Sequence, residues 1–213
     1  MLRFTIFRIP VQVQPWFWLT MGLIGLLITN PKNGAGLVYL ALFMLAGFIS
    51  VLVHELGHAL TGKAFGAPTR IEMFAFGGAA LFPANLFSRK QSFLVTAAGP
   101  AIQIVLGFLA LGLSAIVEIP NPAGEFFLKF LGIISIFWAL LNLIPVIPLD
   151  GGQLMATVLG PGRRESALKV SMVAAIVAGL AGLAMAKMII FPVFLGMMAH
   201  QNWKELQRLK GRP

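Results

Sequence analysis

"FISVLVHELGHALTGKAFGA", residues 48–67, sets two histidines and a glutamate inside an otherwise apolar stretch. The surrounding residues have the length and hydropathy of a membrane-crossing helix, which needs about 20 mostly apolar residues. A bare charge at bilayer depth costs about 2.5–3.5 kcal/mol on insertion scales. His54, Glu55 and His58 therefore need partners that repay their presence. Their spacing is H-E-x-x-H: on a helix the histidines stand four apart on one face and can reach a single Zn²⁺. Glu55 is offset by one residue, near enough to take a proton from water without itself ligating.

The rest of the chain agrees with a membrane setting. Of 213 residues 58% are hydrophobic and only 11% are charged, and the mean hydropathy is +0.89. Soluble domains carry about 25% charged residues. The net charge of +9 could suggest nucleic acid, but the basic residues sit in short clusters between apolar runs and form no stripe with interleaved aromatics. With no cysteine, thiolate metal sites and disulfides are excluded. The first apolar run lacks a convincing cleavage site and reads as a retained span.

Six spans are expected, at about 15–29 (starting earlier if it includes 9–13), 36–62, 93–117, 126–147, 167–186 and 188–203, with the break near Lys187. The fold expected is an all-α polytopic membrane protein, one domain over residues 1–213. With six spans, thirteen of the sixteen basic residues fall on one side and only Lys32, Lys129 and Lys187 on the other. The positive-inside rule puts both termini in the cytoplasm. Between the second and third spans, "TRIEMFAFGGAALFPANLF" is too short to span and too apolar for a solvated loop. Residues 71–81 read as an extended, re-entrant β-hairpin with Gly77-Gly78 near its bend, since non-helical backbone at that depth must be satisfied by protein or a watery cavity.

A catalytic zinc needs a third protein ligand and an open position. The remaining acids are Glu72, Glu118, Glu125, Asp150, Glu165 and Glu205, and the one other histidine is His200. Asp150 ends "NLIPVIPLDGG", after an apolar run broken by Pro145 and Pro148. Those prolines could unwind the chain and aim the carboxylate inward, with Gly151-Gly152 allowing close backbone approach; the lesser alternative for Asp150 is a cap on the next helix. His200 reads as an interfacial histidine, and Glu118 and Glu125 as solvated. Asn142 could serve a helix–helix hydrogen bond.

Taken together, H-E-x-x-H at 54–58, "TAAGPAIQ" at 96–103 and "NLIPVIPLDGG" at 142–152 resemble the site-2 protease family, the intramembrane zinc metalloproteases of peptidase family M50. The resemblance implies one Zn²⁺ per chain held by His54, His58 and Asp150. It implies Glu55 as general base, Asn142 as support for the reacting carbonyl, and the strand around Phe74, Ala75, Phe76, Gly77, Gly78 and Ala79 as substrate guide. This chain has Gln103 where the family often has asparagine, and the PDZ or CBS domains of many relatives are not expected here.

The expected activity is hydrolysis of a peptide bond in or near the membrane segment of a single-span protein, as in regulated intramembrane proteolysis. The setting would be a prokaryotic cytoplasmic membrane, with no nucleic acid involved; a second copy or a regulatory membrane partner stays open. The alternatives are a zinc transporter or metal sensor, which would favour several exchangeable sites and has no use for Glu55, and an inactive relative that binds client helices.

Overall fold

The structure is a computed structural model, describing residues 1–186 and 190–211. Lys187, Met188 at the start of the sixth expected span, and Arg212 lie outside the described residues. The chain divides into two compact units, Met1–Ala139 and Leu140–Pro213.

The first thirteen residues do not begin a helix. They form a hairpin of β1 (Leu2–Ile6) and β2 (Ile9–Val13). The reason lies in β2: Ile9, Val11 and Val13 are buried while Pro10 and Gln12 are not, a period of two that suits a strand with one face on a core. The two turn residues, Phe7 and Arg8, sit at φ +50° and +60°. A two-residue hairpin turn of the type matching strand twist demands this backbone, which glycine or asparagine adopts more readily. Lys63 Nζ donates to the Phe7 carbonyl at 2.7 Å and holds the turn.

After α1 (Pro15–Thr29) and α2 (Gly34–Ala64), the chain returns to the sheet as β3 (Arg70–Phe74) and β4 (Gly77–Leu81). The bend of this second hairpin falls on Ala75 and Phe76, with Gly77 immediately after it at φ +150°. The order is β1-β2-β3-β4, with β2 parallel to β3 and the other pairs antiparallel. The all-α expectation is thus corrected: the chain is mostly helical but carries a four-stranded sheet, of which only the second hairpin was legible.

The buried face of the sheet (Ile9, Val11, Val13, Ile71 and Met73) packs on Phe17 and Met21 of α1 and on Val51, Leu52, Leu56 and Ala59 of α2. Helix α3 (Arg89–Ile116) opens with a capping box between Ser88 and Gln91, which satisfies two of the donors left over at a helix start. Helix α4 (Pro122–Asn142) packs Leu131 against Ala46 of α2 and Ala110 of α3.

Helix α4 ends at Asn142, five residues short of the expected end of the fourth span at 147. Pro145 and Pro148 explain this, because proline lacks an amide hydrogen and biases its predecessor away from helix. In the second unit, α5 (Asp150–Leu159) begins directly after that break, followed by a 3₁₀ turn at Pro161–Arg163. Helices α6 (Arg164–Ala186) and α7 (Ile190–Lys210) follow. Val146 packs with Ala175, Leu195 and Met198. Arg164 Nε and Nη2 both donate to Glu205 Oε1, at 3.0 and 2.8 Å, tying α6 to α7.

Among the described residues, four segments are long and apolar enough to cross a membrane: Gly34–Ala64, Arg89–Ile116, Pro122–Asn142 and Pro161–Ala184. Helix α1 is apolar but shorter.

Candidate active site

Helix α2 places His54, Glu55 and His58 in the interior, at 5%, 4% and 8% exposure. The two histidines share a face, as four-residue spacing requires, and their Nε2 atoms lie 3.0 Å apart. The other ring nitrogens determine what those Nε2 atoms offer. His58 Nδ1 lies 2.7 Å from the Val95 carbonyl on α3, which can only accept. His58 Nδ1 therefore carries the hydrogen.

His54 Nδ1 lies 2.8 Å from Gln103 Oε1. The amide of Gln103 is oriented by its opposite end: Nε2 donates to Ser50 Oγ at 2.9 Å and to the Ser50 carbonyl at 3.3 Å. A carbonyl accepts only, so the NH₂ must face Ser50 and the oxygen must face His54. Ser135 on α4 extends the chain by donating to Ser50 Oγ at 3.0 Å. Ser50, Gln103 and Ser135 are all buried. Both imidazoles thus hold hydrogen on Nδ1, and in the neutral form that binds metal each turns a lone pair at Nε2 toward the same point. Two converging lone pairs repel one another and are stabilised by a cation, so the donor set fits a zinc ion.

Close backbone approach frames this arrangement. A Cβ at Gly99 of α3 would overlap the His58 ring. On β4, a Cβ at Gly78 would lie 2.6 Å from Glu55 Cγ and 2.9 Å from its Oε1. The glycine lets the strand run directly alongside the carboxylate. Strand β4 ends the sheet order, so one of its edges faces away from β3. Phe74 and Phe76, at the hairpin bend, are 39% and 58% exposed, while Gly77, Gly78 and Ala79 lie in β4 itself.

The other expected site residues belong to the second unit or its border. Asn142 is the half-buried last residue of α4. Asp150 is buried and opens α5, and Gly151 and Gly152 press against the backbone of residues 143–147. His200 is exposed and stacks on Trp203 with ring centroids 5.7 Å apart. Sequence reading overlooked Ser50 and Ser135 and left Gln103 without a role. The available signal was polarity: an amide or hydroxyl buried in an apolar span needs a partner.

Residues 118–186, a stretch that includes Asn142 and Asp150, match peptidase family M50. The chain is 37% identical over 164 residues to a putative zinc metalloprotease of Synechocystis sp., covering 73% of this chain and 43% of the relative. It is 29% identical over 174 residues to a zinc metalloprotease of Methanocaldococcus jannaschii, covering 81% of this chain and 48% of the relative. It spans about half the length of the curated relatives it matches. Its fold is similar to the solved site-2 protease from Methanocaldococcus jannaschii, with a TM-score of 0.68 and 26% identity, covering 96% of this chain and 94% of that one. With these matches and the paired histidines of α2, the chain belongs to the site-2 protease family, peptidase family M50.

Proposed function

We propose that this protein is an intramembrane zinc metalloprotease that cleaves a peptide bond within or next to the membrane segment of a single-span protein. The observation that carries the reading is the pair of Nε2 lone pairs converging on α2, each set by an acceptor on the far side of its ring. The cofactor is zinc, held by His54 and His58 with Asp150 as third ligand; all three are buried and offer metal-ligating atoms. Bound zinc supplies a Lewis acid that polarises a carbonyl and lowers the pKa of water to about 7.

The protein's own groups do the rest. Glu55 takes a proton from the attacking water as its oxygen bonds to the scissile carbonyl carbon. It then delivers that proton to the amine nitrogen as the carbon–nitrogen bond breaks. Asn142 donates a hydrogen bond to the carbonyl oxygen as charge develops there.

A peptide inside a membrane helix has its carbonyls bonded and shielded, so the substrate must unwind. The extended segment adds to the outer edge of β4, guided by Phe74, Ala75, Phe76, Gly77, Gly78 and Ala79. The closeness of Gly78 to Glu55 supports this, since a strand on that edge runs beside the general base.

Helices α1 and α7 complete six crossings with the four apolar segments, with both termini in the cytoplasm of a prokaryotic cell and residues 1–213 acting as one metalloprotease domain. The test is cleavage of a panel of single-span proteins by the detergent-purified protein, with and without a chelator. Chelator-sensitive cleavage is expected; zinc flux through reconstituted protein with no cleavage of any candidate would sink the reading.

A further inference from the structure

The segment that leads into Asp150 satisfies only part of its own backbone, through bonds such as Val146 N–H to the Ile144 carbonyl and Leu149 N–H to the Val146 carbonyl, both at 2.7 Å. Pro145 and Pro148 interrupt helical bonding between α4 and α5, and an unsatisfied amide or carbonyl is costly to bury. At Ile147, three residues before Asp150, the deficit is met by two side chains from two other helices. The Ile147 amide donates to Ser171 Oγ on α6 at 2.8 Å. The Ile147 carbonyl accepts from Asn202 Nδ2 on α7 at 2.9 Å. Asn202 Nδ2 also donates to Ser171 Oγ at 2.8 Å, closing the set. Ser171 and Asn202 are 0% and 2% exposed. Neighbouring Val146 is fully buried among Ala175, Leu195 and Met198 of the same two helices.

The amide and the carbonyl of Ile147, which belong to two successive peptide groups, are thus fastened to different helices. Polar side chains buried in apolar helices are rare without a partner that requires them, and here the partner is the backbone of one residue of the broken segment, Ile147. Beyond it, the backbone of 143–147 folds back on Gly151 and Gly152 at the start of α5. The position of the Asp150 carboxylate follows from where this short, doubly pinned loop ends.

We infer that Ser171 and Asn202 are positioning residues for the Asp150 ligand, acting through the backbone amide and carbonyl of Ile147, so that the α6–α7 pair sets the strength of zinc binding. The inference rests on the reading of Asp150 as a ligand. It requires that loss of either side chain loosens the loop while leaving α6 and α7 folded.

The experiment compares wild type with Ser171→Ala, Asn202→Leu and Asp150→Ala in the full chain. Zinc affinity is measured by competition with a chromogenic chelator, and amide exchange of residues 143–150 is followed in the metal-free protein. Both positioning variants are expected to bind zinc at least about 10-fold more weakly and to exchange faster within 143–150 but not along α6 or α7. Excess zinc is expected to restore their cleavage, which a general loss of structure would not allow. Ser171→Ala removes a single oxygen at a helical position and serves if Asn202→Leu fails to fold. If Asp150→Ala loses zinc while both positioning variants keep wild-type affinity, the inference is overturned and the ligand reading stands. If Asp150→Ala keeps wild-type affinity, the ligand reading falls and the inference falls with it.

Discussion

His54 and Gln103, 49 residues apart in the chain, are joined through Nδ1 and Oε1 at 2.8 Å, and this bond places the hydrogen on Nδ1 and leaves Nε2 as the nitrogen that faces His58. Without the amide oxygen the imidazole is free to place its hydrogen on either nitrogen. Gln103→Leu keeps similar bulk and removes both ends of the bridge. We expect about 10- to 100-fold weaker zinc binding by chelator competition, with Ser50→Ala giving a smaller loss because the Ser50 carbonyl still accepts from the amide. Unchanged affinity in Gln103→Leu would show that the tautomer is held by something else.

Glu55→Gln preserves shape and polarity but cannot accept a proton. Zinc content by elemental analysis is expected to stay near one per chain. Cleavage of a single-span substrate should fall about 10²- to 10⁴-fold. Cleavage that persists at the wild-type rate would remove Glu55 from the mechanism.

Gly78 leaves no room for a side chain beside Glu55, where a Cβ would approach Cγ to 2.6 Å. In Gly78→Val the carboxylate has to move, so turnover should drop by about 10²-fold or more, in the range of lost general-base help. The histidines are untouched, so zinc affinity should hold. A variant that cleaves normally would separate β4 from the reacting centre.

The chain has no cysteine, so a single introduced one reports its own side of the membrane. Asn121→Cys should react with an impermeant thiol reagent added outside intact cells, and Gly162→Cys only after the membrane is opened. Labelling of both from outside would break the six-span topology and the placement of the termini.

The helical character of 48–64 and the shared face of its histidines were legible because a four-residue spacing is a local property of one helix. The break between α4 and α5 was legible for a similar reason, since proline acts on its immediate neighbours. The hairpin at residues 70–81 could be read from its length and glycines. The strands at 2–13 could not, because β2 finds its parallel partner in β3 across the whole of α1 and α2, and five-residue strands leave a weak periodic signal. Nor could the side chains that steady the site be read. Ser50, Gln103, Ser135, Ser171 and Asn202 are single polar residues in apolar runs, and polarity alone says that each needs a partner without naming it. Which partner it finds depends on which carbonyl, amide or imidazole the packed helices leave within hydrogen-bond reach. The sequence by itself therefore determined the helix that bears His54, Glu55 and His58 and the chemistry those side chains can carry. Only the tertiary structure decided how His54 and His58 are oriented and what holds the loop before Asp150, because those bonds join groups far apart along the chain.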